Sequence, residues 1–106
     1  MSERVEIGPV SELPLGARKR IEADGIDVIV VNCDGELLAI EDVCSHDGAP
    51  LDDGPVDCAA GTIECPRHGS LFDLRTGRPK TLPAYQPVET FPVEIKDGIA
   101  FVLVED

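Results

Sequence analysis

Short stretches of β-branched and other apolar residues, interrupted at close intervals by Gly, Asp, Asn and Pro, recur through the chain, and none holds a helical period for long. The pattern reads as all-β. Three Asp-Gly pairs place tight hairpins. Arg18 to Glu22 turns into Ile26 to Asn32 across Asp24-Gly25, and that strand turns into Glu36 to Glu41 across Asp34-Gly35. Near the end, Val88 to Ile95 turns into Ile99 to Val104 across Asp97-Gly98. Asp-Gly suits such turns because both central positions take positive φ. The expectation is an antiparallel meander at each end of the chain.

Between these ends the alternation fades. Cys44 to Asp57 is rich in Asp, Gly and Pro, and only Thr62 to Glu64 and Leu71 to Asp73 offer short strand-like pieces. This middle reads as a loop-dominated insert with little apolar content of its own, which would need a bound centre to stay ordered. Pro79, Pro83, Pro87 and Pro92 suggest a stiff loop leading into the last hairpin. No repeat or long linker divides the chain. Its 106 residues are expected to form one domain, 1–106, with the insert at about 43–84.

Composition adds two constraints. The first twenty residues mix Glu3, Arg4 and Glu6 with Pro9 and Pro14, unlike the basic start and apolar stretch of a secretion signal, and no apolar run reaches membrane-spanning length. The expected location is the cytoplasm, where clustered thiols more often bind metal than pair with one another. The net charge of −12 is unevenly placed: Ile21 to Pro66 holds twelve acidic residues and no Lys or Arg, while the remainder balances nine against nine. Such a surface either serves solubility or steers a partner protein, and it disfavours nucleic acid, which needs a clustered basic footprint.

The only two histidines each stand beside a cysteine, in Cys44-x-His46 and Cys65-x-x-His68, with 18 residues between the pairs and with Gly48 and Gly69 just after them. This coincidence points to one metal site. Two thiolates and two imidazoles can hold zinc tetrahedrally or a sulfide-bridged pair of irons, so ligand type alone does not decide. A structural zinc module commonly takes two ligands from one short turn, as two Cys or two His. Here each turn offers one of each, which suits a two-iron cluster with Cys₂ on one iron and His₂ on the other.

The run C-x-H followed by C-x2-H-G-S-x-F-D resembles the signature of Rieske [2Fe-2S] proteins, and the resemblance extends over nearly the whole chain. It implies a Rieske-type antiparallel β sandwich or barrel base carrying a small loop-rich cluster-binding subdomain. It also implies that Cys44 and Cys65 bind the inner iron and His46 and His68 the outer one, and that Leu82-Pro83-Ala84 shields the cluster. Backbone N–H groups near Gly48 and Gly69 would approach the bridging sulfides and stabilise the reduced state. Respiratory and photosynthetic members add a cysteine to each loop and join the two. This chain has Gly48 or its neighbours and Arg67 there, and Phe72 in place of a Tyr two residues after Ser70. Those departures imply the lower end of the roughly −150 to +300 mV range of such centres.

The lower-potential branch includes the ferredoxins of aromatic-ring hydroxylating dioxygenase systems, which this chain most resembles. That implies a non-catalytic, monomeric one-electron carrier between a flavin reductase and a terminal non-heme iron oxygenase. A carrier for a nitrite reductase or for iron-sulfur assembly is the near alternative, and a zinc interaction module the distant one. The remaining histidine count leaves no mononuclear iron triad, and neither a phosphate loop nor a base-activated nucleophile is evident. Cys33 reads as a buried thiol ending a strand, Cys58 as a spacer between the ligand pairs, Arg67 as a residue tuning the potential or touching a partner, and Tyr85 and Phe91 as packing residues.

Overall fold

The structure is a computed structural model that describes residues 2–45, 48–67, 69–82, 84 and 86–105. Ten strands account for its regular structure: β1 (Ser2–Pro9), β2 (Arg18–Ala23), β3 (Ile26–Cys33), β4 (Glu36–Glu41), β5 (Val56–Asp57), β6 (Thr62–Glu64), β7 (Leu71–Asp73), β8 (Thr90–Phe91), β9 (Val93–Lys96) and β10 (Ile99–Glu105). Three antiparallel sheets result, ordered β1-β10-β9, β2-β3-β4-β8 and β5-β6-β7. A 3-10 turn at Val10–Glu12 is the one helical piece among the described residues, none of which forms a helix long and apolar enough to cross a membrane.

All three Asp-Gly hairpins are present, with φ of 53° and 79° at Asp24-Gly25, 56° and 95° at Asp34-Gly35, and 53° and 78° at Asp97-Gly98. Two expectations change at the ends. The stretch before Val10 forms β1, which pairs with β10 and ties the chain's ends into one sheet. Its Glu and Arg residues hid this, because an edge strand alternates charged outward positions with inward ones such as Ile7. The expected strand Val88 to Ile95 is divided at Pro92, which has no N–H to give a ladder. Thr90–Phe91 pairs with β4, whereas Val93–Lys96 pairs with β10, so the last hairpin belongs to a different sheet from the first two.

The β3-β4 pair is the wall on which everything else is built. Successive side chains of a strand point to opposite faces. Val28 and Val30 join Ile7, Leu13, Ala39, Val102 and others in a core between the two larger sheets, while Ile29, Val31, Leu38 and Ile40 face the other way. There they pack with Leu51, Ile63, Phe72, Leu74, Ala84 and Val88. Burial on both faces explains the four consecutive apolar residues Val28 to Val31 in β3. It also corrects the expectation of an apolar-poor middle: the insert has a core, and the wall supplies five of its thirteen buried members among the described residues. Each fully buried aliphatic or Phe side chain there contributes roughly 1.5–3 kcal/mol, so hydrophobic burial helps hold the insert in place.

Cys33 and Cys58 are joined in a disulfide, contrary to their reading as a buried thiol and a spacer. The turn after β5 folds over the end of β3 and brings the two Cα atoms to 5.1 Å, a proximity that 25 residues of separation conceal in the sequence. The ring so closed contains Cys44, His46 and Asp47. Cys44 and Cys65 take no part in a disulfide. Alkylation of the denatured, unreduced protein should therefore label two of the four cysteines, and Cys58→Ser should lower unfolding free energy by about 2–4 kcal/mol. Labelling of all four without reductant would contradict the bridge.

Candidate metal centre

Two turns of the insert share a single hydrogen-bond plan. In the first, the Cys44 N–H donates to the Ala49 carbonyl at 2.7 Å and the Gly48 N–H donates back to the Cys44 carbonyl at 2.7 Å. In the second, the Cys65 N–H donates to the Ser70 carbonyl at 2.8 Å and the Gly69 N–H to the Cys65 carbonyl at 2.9 Å. The glycines close each turn with φ of 77° and 75°, a left-handed conformation in which a side chain is strained. Within each turn stands one of the two histidines. His46 and His68 themselves, like Pro83 and Tyr85, lie outside the described residues.

Both cysteines have no exposed surface and sit in the wall-facing core beside Phe72 and Leu51. The turns are also tethered to the segment that follows. Ser45 Oγ donates to the Gln86 carbonyl at 2.5 Å, and Ser70 Oγ accepts the Ala84 N–H at 3.0 Å. Ala84 is buried and Leu82 is 79% exposed, so this segment covers the turns with a small side chain while presenting a large apolar one to solvent. Ser70 and Phe72 are fully buried, and Gly48, Arg67 and Gly69 lie at the surface. Phe91 is half-buried against the core between the larger sheets, a packing role as expected.

The acidic stretch is less unopposed than its sequence suggests. Arg18 and Arg20 alternate with Lys19 on β2; Arg18 reaches the insert, and Arg20 reaches two acids of the acidic stretch. Arg18 donates to the carbonyls of Asp52 and Gly54 at 2.6 and 2.7 Å. Arg20 meets Asp27 at 2.9 Å and Asp42 at 2.6 Å. Contact with Asp42 first, then the charge of Asp27, raises the Arg20 pKa above its already high ordinary value. Asp42 is the one buried acid among the described residues of the stretch. The signal for it was available, since Leu38, Ile40 and Asp42 fall on one face at period two.

A family model for the Rieske [2Fe-2S] domain matches residues 3–92. The chain belongs to the Rieske [2Fe-2S] family. A Rieske domain carries one [2Fe-2S] cluster, and two buried cysteines on twin turns, clear of the disulfide, are a donor set that fits it. The 3-phenylpropionate/cinnamic acid dioxygenase ferredoxin subunit of Photorhabdus laumondii is 40% identical over 97 residues, 92% of this chain and 90% of that one. Among solved structures, the ferredoxin of carbazole 1,9a-dioxygenase from Nocardioides aromaticivorans IC177 superposes with a TM-score of 0.89 at 34% identity, covering 93% of this chain and 95% of its own. A ferredoxin-oxygenase complex of carbazole 1,9a-dioxygenase contains a chain with a TM-score of 0.86 at 32% identity, with 93% and 91% covered. This Rieske chain is thus similar along nearly its full length to electron-transfer components of dioxygenase systems.

The final Asp of the Rieske run, Asp73, has a local task. Its Oδ1 accepts the N–H groups of Arg75 and Thr76 at 2.8 and 3.0 Å, and Lys80 Nζ lies 3.8 Å from Oδ2, fixing the turn that leaves β7. Partial burial works against its charge, but those N–H groups and Lys80 outweigh it and lower its pKa. A lowered folded pKa contributes stability that is complete above the ordinary Asp value of about 3.9 and lost as pH falls through the folded value. The stability gap between wild type and Asp73→Asn, measured by denaturant unfolding, should be constant near neutral pH and shrink below about pH 4. A gap that widens in acid would contradict the assignment.

Proposed function

We propose that this chain is the ferredoxin of a multicomponent aromatic-ring oxygenase system, taking single electrons from a flavin-dependent reductase and giving them to a terminal non-heme iron oxygenase. The twin turns with their buried cysteines carry this reading, and the full-length similarity to dioxygenase ferredoxin subunits supports it. Cys44 and Cys65 would hold one iron and His46 and His68 the other. When bound, the cluster supplies reversible one-electron chemistry. The chain's own residues do the rest. The core around Phe72 and Leu51 excludes water from the cysteine side. The glycines that follow the histidines in sequence, Gly48 and Gly69, are at the surface, which suits electron exit there.

The same reading takes residues 1–106 as one Rieske domain with its cluster-binding part at about 43–84, working as a monomer in the cytoplasm. Arg67, at the surface beside Cys65, would touch a partner or tune the potential. The absence of a cysteine at Arg67 and of a hydroxyl at Phe72 supports a potential at the lower end of the roughly −150 to +300 mV Rieske range.

The test is a reductive titration coupled to electron delivery. The holoprotein should be red-brown, give a rhombic signal on one-electron reduction, show a midpoint near or below zero, and pass electrons from a flavin reductase to an aromatic-ring oxygenase at a rate that falls as salt rises. A colourless zinc protein, or a midpoint well above zero, would contradict it.

A further inference from the structure

The two ligand turns are twins in their hydrogen bonds but not in what closes their stems. Two residues before Cys65 and seven after it stand Ile63 and Phe72, which are register partners in the β6-β7 ladder. The backbone itself closes the second stem. Two residues before Cys44 and seven after it stand Asp42 and Leu51, and no strand pairing joins them among the described residues. Instead Asp42 Oδ1 accepts the Leu51 N–H at 2.7 Å. A carboxylate side chain therefore does for the first turn what a β-ladder does for the second.

That solution buries a charge. The Asp42 side chain has no exposed surface, and Oδ2 forms an ion pair with Arg20 Nε at 2.6 Å while lacking a hydrogen-bond partner among the described residues. Asp42 is itself anchored, its N–H donating to the Asp27 carbonyl at 2.8 Å. Removing one member of a buried pair leaves the other uncompensated. Arg20 is half-exposed and is faced also by Asp27 and Asp52, so its charge is partly shared and partly screened.

We propose that Asp42 and Arg20 form a positioning pair for the cluster: Asp42 closes the stem of the first ligand turn, and Arg20 offsets the negative charge thereby buried two residues from Cys44. The proposal rests on the assignment of the cluster to the twin turns. The pair acts through the loop and through the field at the centre, and neither residue is a ligand. Reduction adds negative charge to the centre, so an uncompensated Asp42 opposes it and a neutral residue at 42 favours it.

Four variants of the holoprotein separate the two roles. Asp42→Asn keeps an oxygen for the Leu51 N–H and removes the charge. It should retain the cluster and the slow exchange of the Leu51 amide while shifting the midpoint upward. Arg20→Gln should shift it downward by a several-fold change in the reduction equilibrium. The double variant removes both charges, so the opposite single shifts should cancel and return the midpoint near the native value. Asp42→Ala should lose the cluster faster and expose the Leu51 amide to exchange, without comparable change at the Phe72 amide in the second stem. Midpoints of Asp42→Asn and Arg20→Gln equal to native, or an Asp42→Ala protein with native cluster retention and a protected Leu51 amide, would overturn the proposal. Native protein that binds no iron would instead sink the cluster assignment, so the two failures are distinguishable.

Discussion

The structure depends on a wall, the β3-β4 pair, that is apolar on both faces. One face closes a core between the two larger sheets, and the other receives the ligand-bearing insert. Without the second face the insert would have only its own short strands, β5, β6 and β7, which are too few and too short to bury a core alone. With it, Cys44 and Cys65 are seated among Ile29, Val31, Leu38 and Ile40, each in a hydrogen-bonded turn. Clips at the margins complement this packing. The Cys33–Cys58 bridge fastens the end of β3 to the turn after β5, and Arg18 fastens β2 to the carbonyls of Asp52 and Gly54.

Charge follows the same logic. The stretch from Ile21 to Pro66, which carries the first proposed ligand pair, holds twelve acids and no Lys or Arg. The fold leaves most of those acids at the surface, where water and salt screen them. The buried exception, Asp42, is met by an arginine from the neighbouring β2.

The sequence exposed what local rules govern. Asp-Gly turns and the apolar runs of β3 and β4 depend on residues close together in the chain, and both are present in the structure; the Cys/His spacing is equally local, and both histidines lie outside the described residues. What stayed hidden was long-range. The partner of β1 is β10, at the far end of the chain, so its charged outward positions masked an edge strand. The division at Pro92 follows from two different partners competing for one extended segment. The Cys33–Cys58 bridge needs the fold before it can be seen. Asp42 was legible in principle, as an acid continuing the inward face of Leu38 and Ile40, but only its contact with the Leu51 amide says what it does.

In the proposed assignment the twin turns bring one Cys and one His each to a single two-iron cluster, which Mössbauer spectroscopy of the ⁵⁷Fe-loaded protein, with iron counted per chain, would test most directly. Two irons should be found, inequivalent in the oxidised state, with the electron added on reduction localised on the histidine-bound iron rather than the cysteine-bound one. Two equivalent sulfur-bound irons, or a single metal per chain, would contradict it.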